Sequence, residues 1–355
     1  MTDNRAQDGA STPATSEKLK APFPWFGGKS RAAPLVWGAL GDVANYVEPF
    51  AGSLAVLLGR PDTHVGTTET VNDLDMYLAN FWRAVSIAPD AVAYHADWPV
   101  NEADLTARHL WLVNEGLAEL TANMKTYPDW YDARIAGWWV WGIGAWIGSG
   151  WCSGKGPHKY PDEDDGNGVS RKLPHLDNAG KGVHKVSLRN GVMRQLPHLD
   201  NAGKGVHKVL LRNGVYEWMD ALAARLRHVR VCCGDWRRVA TSGAMNHGAT
   251  VGVFLDPPYH AATGRDMSLY NEESGDVSED VRRWAIEHGD DPRLRIVLAG
   301  YDSEHAMPDT WTVVSWAAVG GYAKTNSAGA SNRHRERLWL SPHCLRDDRP
   351  SLFEG

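Results

Sequence analysis

The sequence predicts an α/β protein: one strand–helix domain interrupted by a long insertion. Two observations carry this. Strand-like runs alternate with amphipathic helical runs over residues 21–90 and again over 216–341, and a Trp-, Gly- and His-rich stretch separates the two blocks. The composition agrees, since 43% hydrophobic and 23% charged residues are ordinary for a soluble globular chain. A chain of 355 residues can bury one large core or two smaller ones.

Residues 1–20 are polar, small and unpatterned, which predicts a disordered lead-in. "APFPWFGGKS" (21–30) opens the ordered part and "RAAPLVWGALG" follows as a helix. "NYVEPFAGSLAVLLGR" (45–60) reads as strand, glycine turn and helix. "VNDLDMYLANFWRAVS" (71–86) starts at an acidic turn and continues as a helix, with Leu74, Leu78, Phe81, Trp82 and Val85 at helical spacing. Segments 101–126 and 129–147 are helical. Beyond them "LPHLDNAGKGVHKVSLRNGV" (173–192) recurs almost unchanged at 196–215, differing only at Ser187 against Leu210. Two copies are too few for a solenoid, so this reads as a local duplication in a tolerant loop. "YEWMDALAARLRHVRVCCGDW" (216–236), "TVGVFLDPPY" (250–259) and "RIVLAGYD" (295–302) restore the alternation. "TWTVVSWAAVGG" (310–321) and "RHRERLWLS" (333–341) read as a closing strand pair, and residues 346–355 as a tail.

The four cysteines make no CxxC pair, and adjacent Cys232 and Cys233 suit a buried strand, which fits a reducing cytoplasm. No signal peptide is visible. "WWVWGIGAWIGSGW" (138–151) is too short and too glycine-rich for a membrane span. No His/Cys spacing suits structural zinc, and no metal is expected. A net charge of −6 disfavours nucleic-acid binding by overall balance, yet Arg171–Arg230 holds twelve Lys/Arg against four Asp/Glu. Such a stretch fits either phosphate contact or a solvated surface.

"LDPPYH" (255–260) is the sharpest chemical signal. Pro257 forces Asp256 into an extended conformation, and Pro258 does the same to Pro257. The Asp256 carboxylate and the Pro257 carbonyl then form paired acceptors, with Tyr259 supplying a flat face beside them. That combination suits a planar ring carrying an exocyclic amino group. Other stretches are weaker alone. "EPFAGS" (48–53) is a turn that allows close backbone approach, or simply a tight connection. Asp73 in "VND" can accept from ribose hydroxyls, or cap the next helix. Asp235 and Trp236 in "CCGDW" can hold an adenine ring by one acceptor and stacking, or form a plain turn. "PWFGGKS" lacks the first glycine of a phosphate-binding loop, so Lys29 is better matched to a carboxylate.

Taken in order, "WFGGK" (25–29), "VEPFAGSLAV" (47–56), "VND" (71–73), "GDW" (234–236), "DPPY" (256–259) and "VLAGYD" (297–302) resemble the D12 class, or Dam type, of DNA adenine-N6 methyltransferases. "RERLWLS" (335–341) looks like that family's final strand. The resemblance covers residues 21–90 and 216–341. One departure is Leu54, near which the family commonly has a second glycine; leucine there would narrow the cofactor pocket.

The resemblance implies a Rossmann-like, class I S-adenosylmethionine-dependent methyltransferase domain (21–90 and 216–345). Within it would sit an inserted, mainly helical and loop-rich target-recognition domain (91–215). It implies S-adenosyl-L-methionine as cofactor, lined by Trp25, Lys29, Glu48, Phe50, Gly52, Asp73, Asp235, Trp236 and Asp256. Lys29 would meet the methionine carboxylate, Asp73 the ribose and Asp235 the adenine amino group. Asp256, Pro257, Pro258 and Tyr259 would carry transfer to N6 of a flipped adenine in double-stranded DNA. A cytosine-N4 or RNA enzyme would use nearly the same chemistry, and an inactive DNA-binding relative is the rival of another class. Candidate DNA contacts are Trp151, Lys155, Arg171, Lys172, Lys181, Lys185, Arg189, Lys204, Lys208 and Arg212. The family is common in bacteria and their phages, and it brings no expectation of a protein partner.

Overall fold

The computed structural model describes residues 18–25, 27–65, 68–127, 129–146, 151–152, 214–245, 250–259, 277–316 and 335–346. In chain order the elements are α1 (Ala33–Leu40), β1 (Asn45–Glu48), α2 (Ala55–Leu58), β2 (Thr68–Asp73), α3 (Met76–Ile87) and α4 (Pro89–Ala96). Then come α5 (Glu102–Trp111), a π turn (Leu112–Gly116), α6 (Leu117–Met124) and α7 (Ala133–Ala145). After residue 213 follow α8 (Gly214–Leu226), β3 (Val229–Cys233), α9 (Ser242–Met245), β4 (Val251–Leu255), α10 (Val277–His288), β5 (Leu294–Tyr301), β6 (Thr312–Ser315) and β7 (Glu336–Leu340).

Among the described residues, seven strands form one sheet in the order β3-β2-β1-β4-β5-β7-β6. The first five pair in parallel, and β7 joins β5 and β6 antiparallel, so the closing strand pair is as expected. The chain winds one way from β1 to β3 and the other way from β4 onward. In Rossmann-like sheets that reverse in this way, ligands usually lie at the carboxyl ends of the strands beside the reversal, here β1 and β4.

Strand alternation explains the two faces. Val47, Val251, Val253, Leu255, Ile296 and Leu298 point to one face and pack with Val281 and Ala285 of α10. Tyr46, Phe254, Val297, Ala299 and Leu338 point to the other, toward α1, α2 and α3. The described helices of 91–145 join this second cluster through Val92, Ala96, Leu120, Ile135 and Trp139. The helical part of the expected insertion therefore shares the core of the sheet domain.

Local chemistry sets the helix ends. Asp75 caps α3 by accepting from the N–H groups of Tyr77 and Leu78, and Asp132 caps α7 through Ile135 N–H. Helix α3 thus starts two residues later than the Leu74 spacing implied, and Leu74 is exposed. The expected helix over 101–126 is one helical run broken by the π turn. Tyr77 Oη donates to the Leu112 carbonyl there at 2.6 Å, supplying a partner where the regular ladder shifts. In α7, glycines serve close approach: a Cβ on Gly137 would lie 2.8 Å from the Val92 carbonyl of α4. Cys232 and Cys233 do lie in a strand, but β3 is the sheet edge, so they are half-buried instead of enclosed. Among the described residues, no helix is long and apolar enough to cross a membrane.

Candidate active site

Two clusters of sequence-selected residues lie at the carboxyl end of the parallel sheet. The first sits at the ends of β1, β2 and β3. The turn after β1 places Gly52 at φ +47, where a Cβ would lie 2.6 Å from Trp25 Nε1. Glycine is needed there both for the backbone and for the indole. Gly52 N–H donates to Asp73 Oδ2 at 2.9 Å, and the other oxygen accepts from Asp75 N–H at 3.0 Å. Because Asp75 is the cap of α3, Asp73 is released from that role and faces the turn. Burial pushes the Asp73 carboxyl upward, against the hydrogen bonds that favour its charge.

Two residues that the sequence did not single out hold this turn. Asn72 Nδ2 donates to the Pro49 and Gly234 carbonyls at 3.0 and 2.9 Å, tying together the ends of β1 and β3. Trp82 Nε1 donates to the Gly52 carbonyl at 3.1 Å. Leu54 adopts φ +53, the left-handed region that favours glycine, and its side chain is fully buried in the core. Its conflict with the family's second glycine is thus one of backbone conformation, with the side chain spent on core packing rather than on narrowing a pocket.

Phe50 and Trp236 pack at 6.1 Å, and Trp236 is buried with the Arg237 guanidinium 4.9 Å from its ring centroid. Asp235 is exposed; it accepts from Arg237 N–H and pairs with the Arg237 guanidinium.

The second cluster joins the segment before α1 to the ends of β4 and β7. Strand β4 stops at Leu255, directly before the prolines, as their chemistry requires. Lys29 is buried, and its Nζ lies 2.9 Å from Asp256 Oδ1 and 3.0 Å from the Gly27 carbonyl. The same ammonium sits 5.1 Å from the Tyr259 ring centroid and 4.0 Å from Glu336 Oε2. Tyr259 Oη donates to Glu336 Oε2 at 2.7 Å, and its ring meets Tyr301 edge-on at 4.6 Å. Lys29 is therefore partnered to the Asp-Pro-Pro-Tyr acid, and Tyr259 is buried where an open flat face was expected. Glu336 is the residue that sequence reading missed here; its signal was an acid on the apolar face shared with Leu338 and Leu340 of β7.

Glu48 stands between the clusters at the end of β1. Burial raises its carboxyl from the ordinary 4.5 to about 8, opposed by the hydrogen bond from Tyr46 Oη and reinforced by the charge of Asp256. No family model matches the chain, and no curated protein matches it. Of the candidate DNA contacts only Trp151 falls among the described residues. Its indole packs against Gly142 and donates to the Trp139 carbonyl at 3.1 Å. Lys155, Arg171, Lys172, Lys181, Lys185, Arg189, Lys204, Lys208 and Arg212 lie outside the described residues, as do residues 1–17 and 347–355 and all of the duplication except Gly214 and Val215, which open α8. Among the described residues, no group of three or more His, Cys, Asp or Glu could hold a metal ion.

Proposed function

We propose that this protein transfers a methyl group from S-adenosylmethionine to N6 of an adenine extruded from double-stranded DNA. The observation that carries the reading is the position of Asp-Pro-Pro-Tyr. It ends the strand beside the topological switch, across from the β1 turn and the buried Asp73.

The chain's residues fit the cofactor. At the ends of β2 and β3, Asn72 Oδ1 and Trp236 Nε1 are buried without hydrogen-bond partners among the described residues, one an acceptor and one a donor. Buried polar atoms of this kind are matched by a polar ligand or by water. Asp73 and the Gly52 turn would hold the ribose side and Phe50 the adenine side. Asp235 would have to exchange its bond to Arg237 for the adenine amino group. When bound, S-adenosylmethionine would supply an electrophilic methyl on a sulfonium leaving group.

Adenine N6 is a weak nucleophile because its lone pair is delocalised into the ring. Lys29 engages Asp256 Oδ1, which leaves Oδ2 to accept one N6 hydrogen while the Pro257 carbonyl accepts the other. Both contacts favour a pyramidal nitrogen and stabilise the positive charge that grows as the N–C bond forms. The proton then lost from N6 passes through Asp256 to water. Holding the amino group in line with the methyl supplies the remainder of the acceleration.

The test is incubation with isotopically labelled S-adenosylmethionine and duplexes of varied sequence, followed by direct identification of the modified base. N6-methyladenine supports the reading. Label on cytosine or only on RNA would reassign the acceptor, and no transfer to any nucleic acid would overturn it.

A further inference from the structure

Resting on that reading, we infer that Glu336 is a positioning residue for the transfer step, acting through Tyr259 and Lys29 on Asp256. Three observations combine. Glu336 begins β7 and is buried, on a face otherwise built from Leu338 and Leu340. Burying a carboxylate there is costly unless it is well partnered. Its partners converge on one place: the Tyr259 hydroxyl at 2.7 Å and the Lys29 ammonium at 4.0 Å, the latter itself 2.9 Å from Asp256. A carboxylate serving only to anchor β7 would have no reason to bond the aromatic of the Asp-Pro-Pro-Tyr stretch and the lysine that holds its acid.

The physical effect is orientation. Tyr259 has two rotatable side-chain bonds, and tying its hydroxyl to a fixed strand sets the ring on which the Lys29 ammonium rests. Lys29 lies between two carboxylates, which fixes its place, and the Asp256 carboxylate keeps Oδ2 directed to the acceptor amine. Loss of Glu336 would leave both groups in the site but loosely set.

The experiment compares Glu336→Ala, Glu336→Gln, Tyr259→Phe and the double variant Tyr259→Phe/Glu336→Ala in single-turnover methyl transfer with saturating cofactor and DNA. Equilibrium binding of both ligands and thermal melting are measured alongside. Glu336→Ala is expected to slow transfer by about 10- to 100-fold, the scale of a small misplacement of reacting groups, with both dissociation constants within about twofold of the parent. Glu336→Gln, which still offers an oxygen to the Tyr259 hydroxyl, falls between parent and alanine. The double variant is no slower than the slower single, because both remove one shared contact. A folded Glu336→Ala protein that transfers at the parental rate overturns the inference, as does a double variant whose losses multiply. If the alanine variant does not fold, the same cycle is run with Glu336→Gln, and the same outcomes decide. A parent protein without transfer overturns the methyltransferase reading and this inference together. An active parent with unaffected variants overturns this inference alone.

Discussion

The two halves of the candidate site are built from different kinds of contact. At the ends of β1, β2 and β3, side chains bind backbone: Asp73 accepts from Gly52 N–H, and Asn72 and Trp82 donate to carbonyls of the turns. At the ends of β4 and β7, side chains bind side chains: Lys29 to Asp256, Tyr259 to Glu336. A backbone-held half keeps its shape as long as the turn does. A side-chain-held half can be altered group by group without disturbing the fold. The first is suited to receiving a ligand of fixed shape, the second to presenting charge to a reacting atom.

Substitutions can break this contrast. The largest effect is expected for Asp256→Ala, which on the proposed function removes an acceptor aimed at developing charge. Transfer should fall by about 10²- to 10³-fold, the usual scale for one such group, while calorimetry finds S-adenosylmethionine binding nearly intact. If binding and transfer fell together, the two halves would be one unit.

Next comes Leu54→Ala, on the backbone-held side. A fully buried leucine is lost, which costs about 2–5 kcal/mol in cores. Leu54→Gly loses the same contacts but relieves the left-handed backbone. It should therefore melt above the alanine variant, by an amount corresponding to about 1 kcal/mol. The order alanine below glycine, measured by denaturant unfolding, separates backbone strain from packing; the reverse order would mean that φ +53 carries no cost.

Gly52→Ala adds a Cβ where Trp25 lies and a side chain where φ is positive. It should cost about 1–3 kcal/mol of stability and weaken cofactor binding. The single-turnover rate at saturating cofactor should change less than in Asp256→Ala.

A further effect concerns pH. Glu48 holds its proton in the fold up to about 8, whereas the unfolded chain releases it near the ordinary 4.5. Between those values the folded state binds the extra proton. This contribution to stability is complete below about 4.5 and is lost as the pH rises toward 8. Glu48→Gln should flatten the fall in unfolding free energy across that window. Parallel pH curves for parent and variant would show that Glu48 is already ionised in the fold.

How much of this was legible in the sequence follows from the same contrast. Gly52, Asp73 and the Asp-Pro-Pro-Tyr stop could be read because the constraint is local: a turn needs glycine, a strand end exposes an acid, and prolines end a ladder. The near-continuous apolar runs of β4 and β5 likewise announced buried strands. Leu74 misled because helical spacing overran the true cap at Asp75, one residue further on. Lys29, expected at a ligand carboxylate, meets Asp256 instead, and no local rule shows a contact between residues 227 apart.

By itself, then, the sequence determined the α/β class, the strand and turn chemistry and the stop at Asp-Pro-Pro-Tyr, since each depends on neighbours within a few residues. Tertiary structure alone decided that β7 returns antiparallel beside β5 and delivers Glu336 to Tyr259. It also decided that helices 89–145 pack into the sheet's own core. These depend on which distant surfaces bury each other, and that is settled by the packing of the whole chain.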